Sequence, residues 1–298
     1  MTDQYTCNSV GSVAMLVSVK ITMQSGSVED KELTDKTTTE TGAAAGKIRV
    51  RKSILGDRLK DVNKAYRALR TYHYEMTTPW SKGEQMIANS IIPEYETEWN
   101  KLKSEAEQLK NAFLADYEQI VQDDQAALNG SFKLEDYPSR DDIDAKFSAE
   151  IVEFKPLADP AMFPPLTGKI FQRIQNDYEQ RFNQQIEQTT TNIYERIYKY
   201  VGRIAERLNQ PDATFRDSLI NNVQRLVELI PHLNITSNPK VIELAQEMEG
   251  LLQAATPSNT LIDTTPDPQL LRDNPAKRAD VGHRASAILG KMEGFLGN

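Results

Sequence analysis

The stretch from Thr167 to Leu208 constrains the fold more than any other part of the sequence. Its apolar residues recur mostly at intervals of three or four: Ile170, Ile174, Tyr178, Phe182, Ile186, Ile193, Ile197, Val201, Ile204 and Leu208. That spacing places them on one face of an α-helix. Such a helix is unusually long, because helices in globular proteins average about 11–12 residues. The sequence leaves open a break at Thr189-Thr190-Thr191, since β-branched residues lower helix propensity.

A second long helix is predicted from Pro93 to about Leu128. Proline suits the first helical turn, and Asn129-Gly130 is a typical stop. Its apolar stripe is Tyr95, Trp99, Leu102, Ala106, Leu109, Phe113, Tyr117 and Ile120. A third helix is predicted to begin at Ser53 as N-cap and to end before Thr78-Pro79, because a residue that precedes proline disfavours the helical conformation. Shorter helices are predicted at Arg140–Lys146, from the cap Asp212 through Phe215 to Ile230, from Pro239 through Leu251 and from Pro275 through Phe295.

Alternating apolar residues predict three strands, at Ser12–Met23, Lys47–Arg51 and Ser148–Lys155. We expect Ile151–Phe154 to pair with Val17–Ile21, because both segments alternate and both are bounded by breakers. Residues 81–92 are predicted to be a loop. The fold class is therefore mainly α, a long-helix bundle or helical hairpin with a small two- to three-stranded β-sheet.

The domain organisation follows from composition along the chain. Residues 1–12 are predicted to be a flexible N-terminus, and 13–155 a region of strands and helices that contains the long helix 93–128. Prolines 160, 164 and 165 suggest a linker at 156–166. Residues 167–298 are predicted to be a helical C-terminal region.

The composition also excludes several classes of protein. A single cysteine, Cys7, rules out a disulfide within the chain and a cysteine-rich metal site. The apolar run Val13–Val17 is too short to cross a bilayer, and residues 1–12 lack the basic residues of a secretory signal. We therefore expect a cytoplasmic protein without a membrane partner.

No pattern of catalytic or ligand-binding residues is present. His73 and Glu75 are two positions apart, so on a helix they diverge by about 200° and do not share a metal ion. Gly42–Gly46 followed by Lys47 lacks the Ser or Thr of a phosphate-binding loop. The acidic residues from Asp136 to Asp144 are explained by the start of a helix. We assign no catalytic, cofactor-binding or metal-binding residue and expect no cofactor and no enzymatic activity.

A basic segment at 47–70 contrasts with the rest of the chain. It holds nine Lys or Arg and two Asp, a net +7, whereas the whole protein has a net charge of −8. Its candidate anion-binding residues are Arg58, Lys60, Lys64 and Arg67. The segment favours either nucleic acid or an acidic protein face as partner. The pI near 5.1 argues against a dedicated nucleic-acid-binding protein.

Aromatic and charged residues are densest at the end of the helix predicted from Ser53. The candidate residues for an interaction site or a structural corner are Arg70, Tyr72, His73, Tyr74, Glu75 and Trp80. As a corner, Arg70 and Glu75 would form a buried ion pair, and the aromatic rings would pack in the core. As an interaction site, the rings would stack on bases beside the basic segment.

The residues Arg70-Thr71-Tyr72-His73-Tyr74-Glu75 with Pro79-Trp80 resemble the signature of a phage and prophage protein family of unknown function. The resemblance extends from about Val13 to the C-terminus and includes Phe113–Tyr117, Asp136–Ser139, Phe215–Leu219 and Leu226–Pro231. Thr78 departs from the expected leucine, and residues 37–41 are less acidic than usual. The resemblance implies a phage protein inside an infected bacterial cell. Related families lie beside MoxR-type AAA+ ATPases and von Willebrand A-type proteins, which implies an AAA+ ATPase as a partner.

We therefore expect a non-enzymatic phage protein that acts through protein–protein interaction or self-assembly. The long helices 93–128 and 167–208 have more apolar surface than a small sheet and each other can cover, which favours a homo-oligomer. The alternative is a DNA- or RNA-binding accessory protein that uses segment 47–70. Sensitivity of DNA binding to salt would distinguish the two.

Overall fold

A computed structural model describes residues 10–157, 169–210, 213–257 and 265–296. Most of them are helical, and the predicted mainly α class with a small sheet is confirmed. The helices are α1 Val10–Val13, α2 Lys31–Thr41, α3 Gly56–Met76, α4 Ile92–Ala115, α5 Tyr117–Leu128, α6 Arg140–Lys146, α7 Lys169–Leu208, α8 Ser218–Leu233, α9 Pro239–Ala254, α10 Pro268–Asp273 and α11 Pro275–Leu296. The strands are β1 Ala14–Thr22, β2 Ser27–Glu29, β3 Arg51–Ser53, β4 Thr78–Ser81, β5 Glu84–Ala88 and β6 Ser148–Pro156.

The strands form a four-stranded sheet of order β4-β5-β1-β6 and a two-stranded antiparallel sheet of β2 and β3. Strand β5 is antiparallel to β1, with Ala14 opposite Ala88 and Val17 opposite Gln85. Strand β6 lies beside β1, as predicted. The Thr22 and Ser148 hydroxyls are 2.9 Å apart, where β1 ends and β6 begins.

Three predictions about strands and loops are wrong. Residues 81–92 are not a loop, because β4 and β5 form a hairpin whose turn contains Gly83 at φ 85°. The predicted strand Lys47–Arg51 is displaced, since β3 begins at Arg51. Ser53 ends β3 rather than capping a helix, and α3 begins three residues later at Gly56. Short strands with polar ends give a weak alternation, which explains these errors.

Contacts divide the chain into two units. We call the first the C-terminal unit; it comprises Met1–Ser18, Met76–Ile92 and Phe154–Asn298. The second, the central unit, comprises Val19–Glu75 and Pro93–Glu153. The predicted flexible N-terminus lies outside the described residues except for 10–12, and so does the predicted linker except for 156–157. The linear domain boundaries stay predictions.

Helix α7 is the main element of the C-terminal unit. Its apolar residues from Ile193 to Leu208 form one cluster with α8, α9 and α11. Phe182 and Ile186, nearer its start, pack in a second cluster with Leu16 and Met86 of the sheet. The Thr189–Thr191 segment does not break the helix. Each of its hydroxyls donates to the carbonyl four residues earlier, at 3.0, 3.3 and 3.0 Å, so these polar groups are satisfied within the helix.

The shorter C-terminal helices confirm their predictions with adjusted ends. Helix α8 begins at Ser218, whereas the predicted cap Asp212 lies outside the described residues. The helix continues past Pro231, where it was predicted to end, to Leu233. Asn238 caps α9 by accepting from the Lys240 amide at 2.9 Å.

In the central unit, the apolar stripe of α3 is buried as predicted. Leu59, Val62, Tyr66 and Leu69 are each at most 2% exposed. The predicted single helix 93–128 is wrong, because it is interrupted at Asp116, where ψ is 7°, and continues as α5. The apolar periodicity continues through this interruption and does not reveal it, and the Asp116 carboxylate pairs with Arg58 of α3.

A buried ionic cluster joins three segments of the central unit. The Lys52 Nζ of β3 donates to Asp136 Oδ2 at 2.5 Å and to the Ser131 carbonyl at 3.0 Å. It also lies 3.5 Å from Asp30, whose carboxylate caps α2 by accepting from the Leu33 amide. The hydrogen bond to Asp136 raises the pKa of Lys52, and the Leu33 amide followed by Lys52 lowers the pKa of Asp30. The ammonium group therefore stays charged at neutral pH.

We predict that Lys52→Met destabilises the protein by about 3 kcal/mol, because two carboxylates lose their buried partner. Urea denaturation followed by circular dichroism measures the change. Lys64→Met is the matched control, because Lys64 is exposed on α3, and it should change stability by no more than about 0.5 kcal/mol. Equal stabilities of the two variants would contradict a structural role for the cluster.

Candidate functional site

The residues of the predicted corner do not form one site. Arg70, Tyr72, His73, Tyr74 and Glu75 all lie on the last two turns of α3 in the central unit. Tyr72 and His73 are buried, whereas Arg70 is exposed and Tyr74 is 52% exposed. These residues therefore face different sides of the helix.

His73 belongs to a buried aromatic layer between α3 and α4. Its Nδ1 is 2.8 Å from the Tyr95 hydroxyl, and its ring meets Trp99 edge-on at 6.4 Å. Tyr72 stacks on Tyr95 with ring centroids 5.6 Å apart. Burial lowers the pKa of His73 to about 4, so the imidazole is neutral at pH 7. With 2% of its surface exposed, His73 is positioned to support packing and not to contact a ligand.

The predicted buried pair of Arg70 and Glu75 is wrong. Residues five positions apart on a helix diverge by about 140°, so their side chains do not meet. Arg70 is exposed, and its guanidinium donates to the Ile21 carbonyl at 3.3 Å. Its loss would therefore leave no buried charge behind.

Trp80 lies on β4 and belongs to the C-terminal unit. Its ring packs edge-on against Phe182 of α7, with centroids 5.3 Å apart. Nearby, the Arg196 guanidinium donates to the Thr77 carbonyl at 2.5 Å, which attaches the start of the β4–β5 hairpin to α7. Trp80 therefore contributes to the packing of this hairpin.

The four candidate anion-binding residues lie on α3, but two of them are neutralised. Arg58 forms an ion pair with Asp116, and Lys60 lies 2.5 Å from Asp57. Lys64 and Arg67 are exposed and have no ion pair within the described part of the chain. Since Lys52 is also buried and paired, the basic segment presents less free positive charge than its composition suggests.

A cleft of about 500 Å³ lies between the end of α7 and the start of α8. It was not predicted from the sequence. Its described lining residues are Tyr200, Arg203, Arg207, Thr214, Phe215, Arg216, Ser218, Leu219 and Asn222. Three are arginines and none is acidic. The sequence offered one indication of this cleft. Arg203 and Arg207 are one helical turn apart, and Arg216 follows nine residues later.

Two further arginines contact Phe215, one of the residues that line this cleft. The guanidinium carbons of Arg272 and Arg278 lie 5.0 and 5.6 Å from the centroid of the Phe215 ring. Arg278 also donates to the carbonyls of Gln210 and Ala213, at 2.6 and 2.5 Å. Gln210, Ala213 and Phe215 are therefore held by contacts with α10 and α11.

The start of α7 carries an exposed apolar stripe. Ile170 and Ile174, one turn apart, are 66% and 51% exposed. Phe182 and Ile186 continue the same stripe and are buried. One helix face is thus covered along part of its length and open to solvent at its N-terminal end.

Comparison with protein-family models, curated proteins and solved structures found no match. The resemblance to a phage family stays a prediction. Within the described ranges, no group of three His, Cys, Asp or Glu side chains is placed to hold a metal ion. Nor is any helix among those residues long and apolar enough to cross a membrane.

The buried imidazole predicts a specific pH dependence of stability. An unfolded chain binds a proton at His73 with the ordinary pKa of 6.5, whereas the folded protein binds it only near pH 4. Burial of the neutral His73 therefore does not reduce stability above pH 6.5. As the pH falls from 6.5 toward 4, the unfolded chain takes up a proton that the folded protein does not, and the free energy of unfolding decreases. Between pH 7.5 and 4.5 the free energy of unfolding should decrease by about 2.5 kcal/mol from this residue.

Urea denaturation of the wild-type protein and of His73→Gln at both pH values measures this contribution. Glutamine can still hydrogen-bond to Tyr95 but does not titrate, so the variant should show a smaller loss of stability on acidification. Identical losses in the two proteins would contradict the assignment of a neutral, buried His73.

Proposed function

We propose that this chain is a non-enzymatic phage protein that acts through protein–protein contact, with a second copy of itself as the primary partner. The observation that carries the proposal is the exposed pair Ile170 and Ile174 at the start of α7. Burial of one isoleucine side chain contributes about 1.5–3 kcal/mol, so an uncovered stripe favours association.

The charges beside this stripe favour an antiparallel pairing of two copies. Arg173 precedes Ile174, and Asp177 follows it on the next turn. Two helices that cross antiparallel at Ile174 would bring Arg173 of one copy toward Asp177 of the other, in the manner of flanking ion pairs in helical dimers. Neither residue has an ion pair among the described residues, so both are available for this contact.

The phage origin rests on the resemblance of residues 70–75, 79 and 80 to the phage family. A phage protein of this kind would act in the cytoplasm of an infected bacterial cell. An AAA+ ATPase as a further partner rests on the same resemblance. The genes that flank the coding sequence test this part of the proposal, because a phage protein should be encoded among other phage genes.

Self-association is tested by sedimentation velocity over a wide range of protein concentration. The wild-type protein should associate as its concentration rises, and the double variant Ile170→Glu, Ile174→Glu should remain monomeric. Ile242→Glu is the matched control, because Ile242 is an exposed isoleucine on α9, at 44%. It should associate like the wild type.

A wild-type protein that stays monomeric at every concentration would overturn self-association. If Ile242→Glu abolished association as well, the contact would not involve the stripe on α7. Circular dichroism of each variant verifies that the helices are retained.

Lys64 and Arg67 support the alternative, a nucleic-acid-binding protein, because they are exposed and unpaired among the described residues of α3. This alternative predicts DNA binding that weakens with salt and whose salt slope falls by about one unit for each of Lys64→Ala and Arg67→Ala. Lys60→Ala is the control, since Lys60 is paired with Asp57. Absence of DNA binding at low salt would exclude it.

A further inference from the structure

We propose that the cleft between α7 and α8 binds the phosphate groups of a nucleotide-sized ligand. The inference concerns the C-terminal unit alone and is independent of the apolar stripe at the start of α7. It rests on the charge of the cleft, on the polar and apolar residues that line it and on its size.

The charge is the first observation. Within the described residues, Arg203, Arg207 and Arg216 have neither an ion pair nor a side-chain hydrogen bond. Two other arginines of the same unit are paired with acids, Arg272 with Asp217 and Arg284 with Asp280. All three are exposed at the cleft, so their donors are accessible to an anion from solvent. In a protein with a net charge of −8, this concentration of positive charge is not a consequence of composition.

The guanidinium group indicates the type of anion. Its planar set of donors matches two oxygens of one phosphate, which gives arginine a geometric advantage over lysine in phosphate recognition. Three arginines supply more positive charge than a single carboxylate requires. A ligand with two or three linked phosphates matches this number.

The start of α8 adds further donors. Ser218 is the first residue of that helix and lines the cleft. Asp217, at the N-cap position, makes no side-chain capping bond, and its carboxylate pairs with Arg272 instead. The backbone amides of Leu219 and Ile220 already donate to the Arg216 and Asp217 carbonyls, at 2.9 and 3.0 Å, so the further donors at this helix start are side chains. The Thr214 and Ser218 hydroxyls and the Asn222 amide also line the cavity and offer neutral hydrogen bonds.

The size argues for more than an inorganic ion. A cavity of about 500 Å³ lies within the range of roughly 300–1,000 Å³ typical of small-molecule sites. Tyr200, Phe215 and Leu219 give it an apolar wall, and Arg278 holds the adjoining segment through the Gln210 and Ala213 carbonyls. The site is thus formed in advance, with charged groups for phosphates and an apolar surface for the rest of the ligand.

Isothermal titration calorimetry tests the proposal with ATP, pyrophosphate and adenosine as probes. The wild-type protein should bind ATP and pyrophosphate, and adenosine should not bind measurably. The double variant Arg203→Gln, Arg207→Gln should weaken ATP binding by at least about tenfold, because it loses charge-assisted hydrogen bonds. Arg181→Gln is the matched control, since Arg181 is exposed on the same helix and has no ion pair among the described residues. It should bind ATP like the wild type.

Several results would overturn the proposal. One is the absence of ATP and pyrophosphate binding at low salt. Another is equal weakening by Arg181→Gln, which would indicate non-specific attraction. Adenosine binding as tight as ATP would show that the phosphates are not recognised. Single-stranded DNA that binds more tightly than ATP and displaces it would identify a polynucleotide site instead. Thermal melts of all variants verify that the fold is intact.

Discussion

The apolar face of α7 is the constraint on which the C-terminal unit depends. Exposure of such a face to water is unfavourable over the 40 residues of this helix. Because the helix is so long, different parts of the face are covered by different elements. The part from Ile193 to Leu208 is covered by α8, α9 and α11, and Phe182 and Ile186 are covered by the sheet. Helices α8 and α11 pack directly against α7, and α9 packs mainly against α8 and α11, so the four helices share one apolar cluster.

The same helix carries both of the surfaces for which contacts are proposed. Its N-terminal turns extend beyond the sheet and leave Ile170 and Ile174 exposed. At its C-terminal end the apolar face is buried, while Arg203 and Arg207 point away from the cluster and line the cleft. An apolar surface at one end and a basic cavity at the other offer two chemically different contacts. The first suits a protein partner, and the second suits an anion.

In the central unit, the residue types that usually suggest chemistry serve the structure. Lys52 is held between Asp30 and Asp136, so its ammonium group is charged and is not a nucleophile. His73 is neutral and enclosed by Tyr95 and Trp99. Burial explains both cases, because a polar group removed from water needs a fixed partner, and that partner also keeps it from reacting. Packing therefore accounts for Tyr72 and His73 at the end of α3, whereas Arg70 and Tyr74 are exposed.

The sequence by itself determined the helices and their buried faces, because the spacing of apolar residues records which side of a helix is removed from water. It was sufficient for α7 and for the stripe of α3. It could not place β5 or the interruption at Asp116, where short-range preferences are weak and long-range pairing decides. The Arg203, Arg207 and Arg216 cleft was decided only by the tertiary structure, since it requires the end of one helix and the start of the next to converge. The exposure of Arg70 was decided in the same way, because the direction of a side chain depends on what surrounds its helix and not on its neighbours in the chain.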